Sequence, residues 1–233
     1  MGGQFNLYES QDIQISRVLS DGRTASDRLV VAKYVDGLRL SNIVDGNKLE
    51  GLYLENCPNL LIEHSVFARP MITGFILRNY GAETALIRNN IFTDSLAVKS
   101  YRDALGNPNN IGLLTIDGEM DDVVLRDNLF FLRYFSPQER HLIGDLGYDR
   151  LRDSVLFGTV FADPVFQGVV DLLGEGGTLD PYDPNLPPFP PDSLWSMTRP
   201  FNFRTWFATD PAVVRAGIGL DQTQFDPATG LAK

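Results

Sequence analysis

Short apolar runs alternate with polar residues between Phe5 and Phe130, and they come in pairs. Phe5-Asn6-Leu7-Tyr8 is followed by Ile13-Gln14-Ile15, Val30-Val31-Ala32-Lys33 by Leu38-Arg39-Leu40, and Leu52-Tyr53-Leu54-Glu55 by Leu60-Leu61-Ile62. The same pairing returns in Phe75-Ile76-Leu77-Arg78 with Ala85-Leu86-Ile87, and in Leu114-Thr115-Ile116-Asp117 with Val123-Val124-Leu125. Alternation with a period of two is the mark of a strand with one buried face, and the polar residues between runs mark turns. Ile15, Leu40, Ile62, Ile87 and Leu125 are equivalent positions, spaced 25, 22, 25 and 38 residues apart, so the last interval carries an inserted loop. A unit this short cannot bury its own apolar side. Successive units must stack, which brings equivalent residues to about 4.8 Å.

A tail recurs after the second run: Glu63-His64-Ser65-Val66-Phe67, Arg88-Asn89-Asn90-Ile91-Phe92 and Arg126-Asp127-Asn128-Leu129-Phe130. This polar pair, apolar residue and aromatic resemble the coils of right-handed parallel β-helix proteins of the pectate-lyase-like solenoid superfamily. Gly51 to Phe67 is similar to one complete coil. Val160-Phe161-Ala162-Asp163-Pro164-Val165-Phe166 and Asp210-Pro211-Ala212-Val213-Val214-Arg215-Ala216-Gly217-Ile218-Gly219 resemble the closing and terminal segments of such helices. The resemblance implies an all-β chain, a right-handed parallel β-helix of at least five coils, with a short helical insertion and a Pro-rich C-terminal extension. Stacking then predicts an internal column of Phe67, Phe92 and Phe130. It also predicts a polar ladder of Ser65, Asn90 and Asn128 whose side chains bond the backbone of the next coil.

The coils and their insertions occupy residues 1–173. One insertion spans 94–110 and a second spans 132–154, where Ser136-Pro137-Gln138-Glu139 reads as a helix start and predicts a short helix over 137–145. Residues 174–200 are rich in Gly, Pro and Asp and form an extended segment. The aromatic residues Phe201, Phe203, Trp206 and Phe207 predict that 201–233 packs on the solenoid or caps it. The first coil has no capping helix before it, and open strand edges invite self-association. The chain therefore reads as the C-terminal part of a longer protein, or as one whose edge another subunit covers.

Charge and composition narrow the partners. Twenty Lys and Arg against 30 Asp and Glu give a formal charge of −10, which excludes nucleic acid and anionic membrane as main partners. No apolar run approaches the roughly 20 residues that span a bilayer. One cysteine and two histidines exclude an internal disulfide and a three-histidine zinc site.

Period-two alternation also assigns faces. Leu7, Ala32, Leu54, Leu77 and Ile116 point inward, so Tyr8, Lys33, Glu55, Arg78 and Asp117 form an outward row of alternating charge. Carbohydrate-active proteins of the resembled superfamily work on such faces, which implies an extracellular or cell-surface protein that acts on or binds an acidic polysaccharide. A polysaccharide lyase or glycoside hydrolase would use Lys33, Arg78, Lys99 and Arg102 as bases or charge neutralisers. Tyr8, Tyr53, Glu55, Tyr101, Asp103 and Asp117 would bind substrate, and Ca2+ is the cofactor the resemblance admits. Glu119, Asp121 and Asp122 carry suitable oxygens, although they do not form an EF-hand loop and an acidic turn between strands is the commoner reason for such a cluster. The competing reading is a charge ladder that keeps neighbouring coils in register, in a non-catalytic adhesin, surface or fibre module. His64 reads either as a general base or as a turn residue, equivalent to Asn89 and Asp127.

Overall fold

The alternating runs become strands that pair in parallel with their equivalents one repeat away. In the computed structural model, residues 4–21, 28–46, 50–68, 73–79, 84–93, 112–118, 123–131 and 203–233 are described. The insertions 94–110 and 132–154, the helix expected over 137–145, the Pro-rich segment 174–200 and the Glu119–Asp122 turn lie outside them.

The described chain is predominantly β. Strands β1 (Phe5–Tyr8), β3 (Val30–Lys33), β5 (Glu50–Glu55), β8 (Thr73–Asn79) and β11 (Gly112–Gly118) form a five-stranded parallel sheet in that order. A second sheet contains β2 (Gln14–Asp21), β4 (Arg39–Gly46), β6 (Leu60–Glu63), β7 (Val66–Ala68), β9 (Ala85–Arg88), β10 (Ile91–Thr93), β12 (Val123–Arg126) and β13 (Leu129–Phe131). The long strand β4 explains its shape. Arg39–Ser41 pair with β6 and Val44–Gly46 pair with β7, so the sheet bends between the two halves and curls into a half-barrel. The result is solenoid-like. Among the described residues β1 and β2 each pair on one side only, with β3 and β4 respectively.

The pairing register matches the spacing of the repeats. Ile15 pairs with Leu40, Leu40 with Ile62, Ile62 with Ile87, and Ile87 with Leu125. All five are buried in one core with Ala32, Leu54, Leu77, Phe67 and Phe92. Phe67 and Phe92 stack at 5.1 Å between centroids and 15° between planes, an aromatic contact beyond simple burial. Phe130 pairs with Phe92 in backbone register.

The bend is made by a row of left-handed residues: Arg17 (φ 55°), Asn42 (52°), His64 (50°), Asn89 (55°) and Asp127 (51°). Beside it runs the polar ladder, with Ser65, Asn90 and Asn128 fully buried. Asn90 Nδ2 donates to the Ile62 carbonyl at 3.0 Å, and its Oδ1 accepts from the Ser65 N–H at 3.0 Å. Asn128 repeats this one unit on, to the Ile87 carbonyl at 2.8 Å and from the Asn90 N–H at 3.0 Å. The expected bonds to the next coil therefore run instead to the preceding repeat, because the amide lies beside the carbonyl of the penultimate residue of the previous strand. Two further left-handed rows follow the first sheet: Glu9, Tyr34 and Asn56, then Asp12, Gly37 and Asn59.

Residues 203–233 lie against the outer face of the second sheet. They contain the short helix α1 (Pro211–Arg215), capped by Asp210 Oδ1, which accepts from the Ala212 and Val213 N–H groups at 2.8 and 3.1 Å. Trp206, Phe207, Val213, Ile218, Leu220 and Phe225 pack with Val44, Val66, Ala68, Ile91 and Leu129 in a second apolar cluster. Corner residues of successive repeats hold the segment's backbone. The Gly219 N–H donates to the Asn89 carbonyl at 2.8 Å, and Asn42 Oδ1 accepts from the Asp221 N–H at 2.8 Å. His64 Nδ1 lies 3.3 Å from the Gly219 carbonyl, and Arg17 donates to the Lys233 carbonyl at 3.1 Å. Gly219 has to be glycine: its φ is +90°, and a Cβ there would stand 2.7 Å from Ile91 Cδ1.

Candidate functional site

The outward row predicted on the first sheet is continuous in the strand register. Tyr8 pairs with Lys33, Lys33 with Glu55, Glu55 with Arg78, and Arg78 with Asp117. Alternation along β5 also places Tyr53 on this face, because Leu52 and Leu54 on either side of it are fully buried in the core.

Tyr53 is the hub of the site. Its hydroxyl donates to Glu55 Oε2 at 2.7 Å and accepts from Arg78 Nη1 at 2.8 Å. Lys33 Nζ lies 2.9 Å from the same Glu55 oxygen. Three cations surround the phenol ring within the range of cation–π attraction, with Arg28 at 4.7 Å from the centroid, Lys33 at 5.2 Å and Arg78 at 5.3 Å. Tyr53 as a whole is 8% exposed, with these cations and the neighbouring strands around it.

The electrostatics follow from these contacts. Hydrogen bonding to Glu55 raises the pKa of Lys33, against a smaller lowering by desolvation. Hydrogen bonds from Lys33 and Tyr53 lower the pKa of Glu55. Burial and the bond to Glu55 raise that of Tyr53. The group therefore holds a charged lysine, a charged glutamate and a neutral tyrosine. With its folded pKa below the ordinary 4.5, ionised Glu55 contributes stability that is complete above pH 4.5 and lost as pH falls through the folded value. Glu55→Gln should therefore be less stable than wild type by a constant amount above pH 4.5, with the gap closing in more acidic solution. Denaturant melts across that range check it, and a gap of unchanged size at low pH would show that Glu55 is not the linked group.

The second outward row is also in register. Ser41 pairs with Glu63, Glu63 with Arg88, and Arg88 with Arg126. Arg88 holds Glu63 Oε2 through Nε at 2.8 Å and Nη2 at 2.6 Å, whereas Arg126 turns to Asp127 at 3.1 Å. Both bonds converge on one Glu63 oxygen, and this charge-assisted strand-to-strand pair keeps two repeats aligned. His64 stands at the bend, with its ring against the Gly219 carbonyl, in the position that Asn89 and Asp127 fill in later repeats.

No protein-family model, curated protein or solved structure matches the chain. Geometry alone must therefore carry the functional argument.

Of the residues expected to act, the structure brings Lys33, Tyr53, Glu55 and Arg78 together and leaves Tyr8 beside them, 54% exposed. Asp117 adjoins Arg78 in backbone register. Lys99, Tyr101, Arg102 and Asp103 lie outside the described residues. The chain re-enters the first sheet at Gly112, the start of β11, whereas Asp117 and the charged row lie toward the end of the strand. Among the described residues no group of three or more His, Cys, Asp and Glu is placed to hold a metal ion. Arg28, which belongs to the site, and Tyr34, which follows Lys33 in the chain, were not singled out in sequence. Arg28 precedes β3 and is not part of the repeated alternation, so nothing periodic marks it. Tyr34 occupies a corner where Glu9 and Asn56 stand in neighbouring repeats, and that mismatch was its available signal.

Proposed function

We propose that the chain is a right-handed parallel β-helix of at least five coils, related in architecture to the pectate-lyase-like solenoids. Its first sheet binds an acidic polysaccharide at the cell surface or outside the cell. The strand register in both sheets supports the architecture. The binding reading rests on one observation: Arg28, Lys33 and Arg78 converge on the Tyr53 ring with Glu55 as the carboxylate among them. On a chain of formal charge −10, a local excess of cations offers anions a favourable place to dock. Repeated carboxylates along a polymer would meet Lys33 and Arg78, whose spacing is set by strand pairing.

The directions of the pKa shifts favour binding over proton transfer. A lysine acting as a base needs its pKa brought down toward neutrality, and Glu55 drives that of Lys33 up. The second reading, a non-catalytic surface or fibre module with no ligand at this face, is favoured by the mutual neutralisation of Lys33 and Glu55.

Titration with polygalacturonate separates the two. Wild type should bind it with an affinity that falls as salt is raised, and Arg78→Gln should bind at least about tenfold more weakly, or about 1.4 kcal/mol. A wild type that ignores the polymer, or an Arg78→Gln variant that binds equally well, would overturn the binding reading. Unsaturated products or new reducing ends in the same mixture would reveal lyase or hydrolase activity.

A further inference from the structure

Tyr34 sits at the end of β3 with a φ of 56°, in the left-handed region that bulky side chains avoid. The neighbouring repeats place Glu9 and Asn56 at this corner, and Asn adopts such a conformation readily. Burial does not repay the strain, because the side chain is 54% exposed and belongs to neither apolar cluster. The backbone bond at this corner is common to the repeats, with Glu9, Tyr34 and Asn56 donating in turn to the Lys33, Glu55 and Arg78 carbonyls, and among the described residues no bond holds the Tyr34 hydroxyl. The corner conformation itself belongs to the fold, but a tyrosine kept where asparagine would enter it at lower strain, with no packing in return, is characteristic of a functional position.

Its surroundings indicate the function. Tyr34 follows Lys33 in sequence, and Tyr8, paired with Lys33 and equally exposed, lies close enough for its phenol to influence the ammonium. Two exposed tyrosines thus adjoin Lys33, Tyr34 next to it in the chain and Tyr8 paired with it across the strands. An exposed aromatic face packs against the apolar C–H face of a pyranose ring, while adjacent cations take its acidic substituents.

We propose that Tyr34 is the stacking platform of this site, seating one sugar ring of a polysaccharide whose carboxylates are held by Lys33 and Arg78. This rests on the acidic-polysaccharide reading and adds to it a residue that recognises the sugar ring whatever its charge.

The test uses the full chain, Tyr34→Asn, Tyr34→Phe and Arg78→Gln, titrated with polygalacturonate and with the same polymer after reduction of its carboxyl groups. Tyr34→Asn should unfold at an equal or higher temperature than wild type, since the corner is relieved, yet bind both polymers at least about tenfold more weakly. Tyr34→Phe should stay within about twofold of wild type, because it keeps the ring. Arg78→Gln should lose affinity for the acidic polymer alone. If Tyr34→Asn binds both polymers as wild type does while Arg78→Gln loses the acidic one, the platform is refuted and the acidic-polysaccharide reading stands. If Tyr34→Asn loses both and Arg78→Gln loses neither, the platform stands and the charge reading falls. A wild type that binds neither polymer, or a Tyr34→Asn variant that melts lower, overturns the platform.

Discussion

Asn90→Ala should destabilise the protein by about 3–5 kcal/mol, a loss large for a single polar residue. The side chain is fully buried and serves two backbone groups of the preceding repeat, the Ser65 N–H and the Ile62 carbonyl. Alanine leaves both without a partner at about 1–3 kcal/mol each, and a small cavity adds to the cost. Asn128 loses one of its contacts but keeps the Asn90 N–H and the Ile87 carbonyl. Denaturant melts should show a lower midpoint at nearly unchanged slope. Asn90→Ser should recover part of the loss, since Ser65 fills the equivalent place one repeat earlier and bonds the Ile43 N–H at 3.1 Å. A loss under about 1 kcal/mol for the alanine variant would mean that water or repacking replaces the ladder.

Phe225→Ala should loosen the C-terminal segment from the second sheet. Phe225 is fully buried, 4.6 Å from the Phe203 ring and 5.7 Å from that of Phe207, and truncating a buried aromatic costs about 3–5 kcal/mol. Where that exceeds the free energy of docking, the segment opens as a unit while the strands stay paired. The Gly219 and Asp221 amides, bonded to Asn89 and Asn42, are the reporters and should exchange with solvent far faster in the variant. A dye that binds apolar surface should report the uncovered Val44, Val66, Ala68, Ile91 and Leu129. Unchanged exchange at Gly219 and Asp221 would show that the segment is held without its aromatic cluster.

Strand pairing and facing were legible because both are local and periodic. Equating Ile15 with Leu40 and Ile62 places Tyr8, Lys33, Glu55, Arg78 and Asp117 in one row, which is how the sheet pairs them. How the row's side chains turn sideways was not legible. Alternation says that Tyr53 and Glu55 face outward, but not that Arg78 reaches across to the Tyr53 hydroxyl at 2.8 Å. The contact between His64 and Gly219, 155 residues apart, was equally hidden. No period relates the two, and only the covered apolar side of the second sheet explains why they meet. Residues such as Arg17 and Tyr34 enter left-handed corners without being Gly, Asn or Asp, so turn chemistry by residue type did not flag them.

Between paired strands the repeats differ in length mainly along one edge. Leu19, Val44, Val66 and Ile91 are equivalent, as are Val30, Leu52, Phe75 and Leu114, yet the chain between the first set and the second varies from Val44–Leu52 to Ile91–Leu114. The passage through the bend, by contrast, keeps one length in every repeat, from Ile15–Leu19 to Leu125–Leu129. Lengthening a closed loop is entropically cheap, about 0.6 kcal/mol per doubling, whereas one residue added within a strand would turn every side chain beyond it to the other face. The molecule thus has a seam along which sequence can be gained, lost or grafted while each strand keeps its neighbours, and new binding loops can be spliced there without redesigning the core.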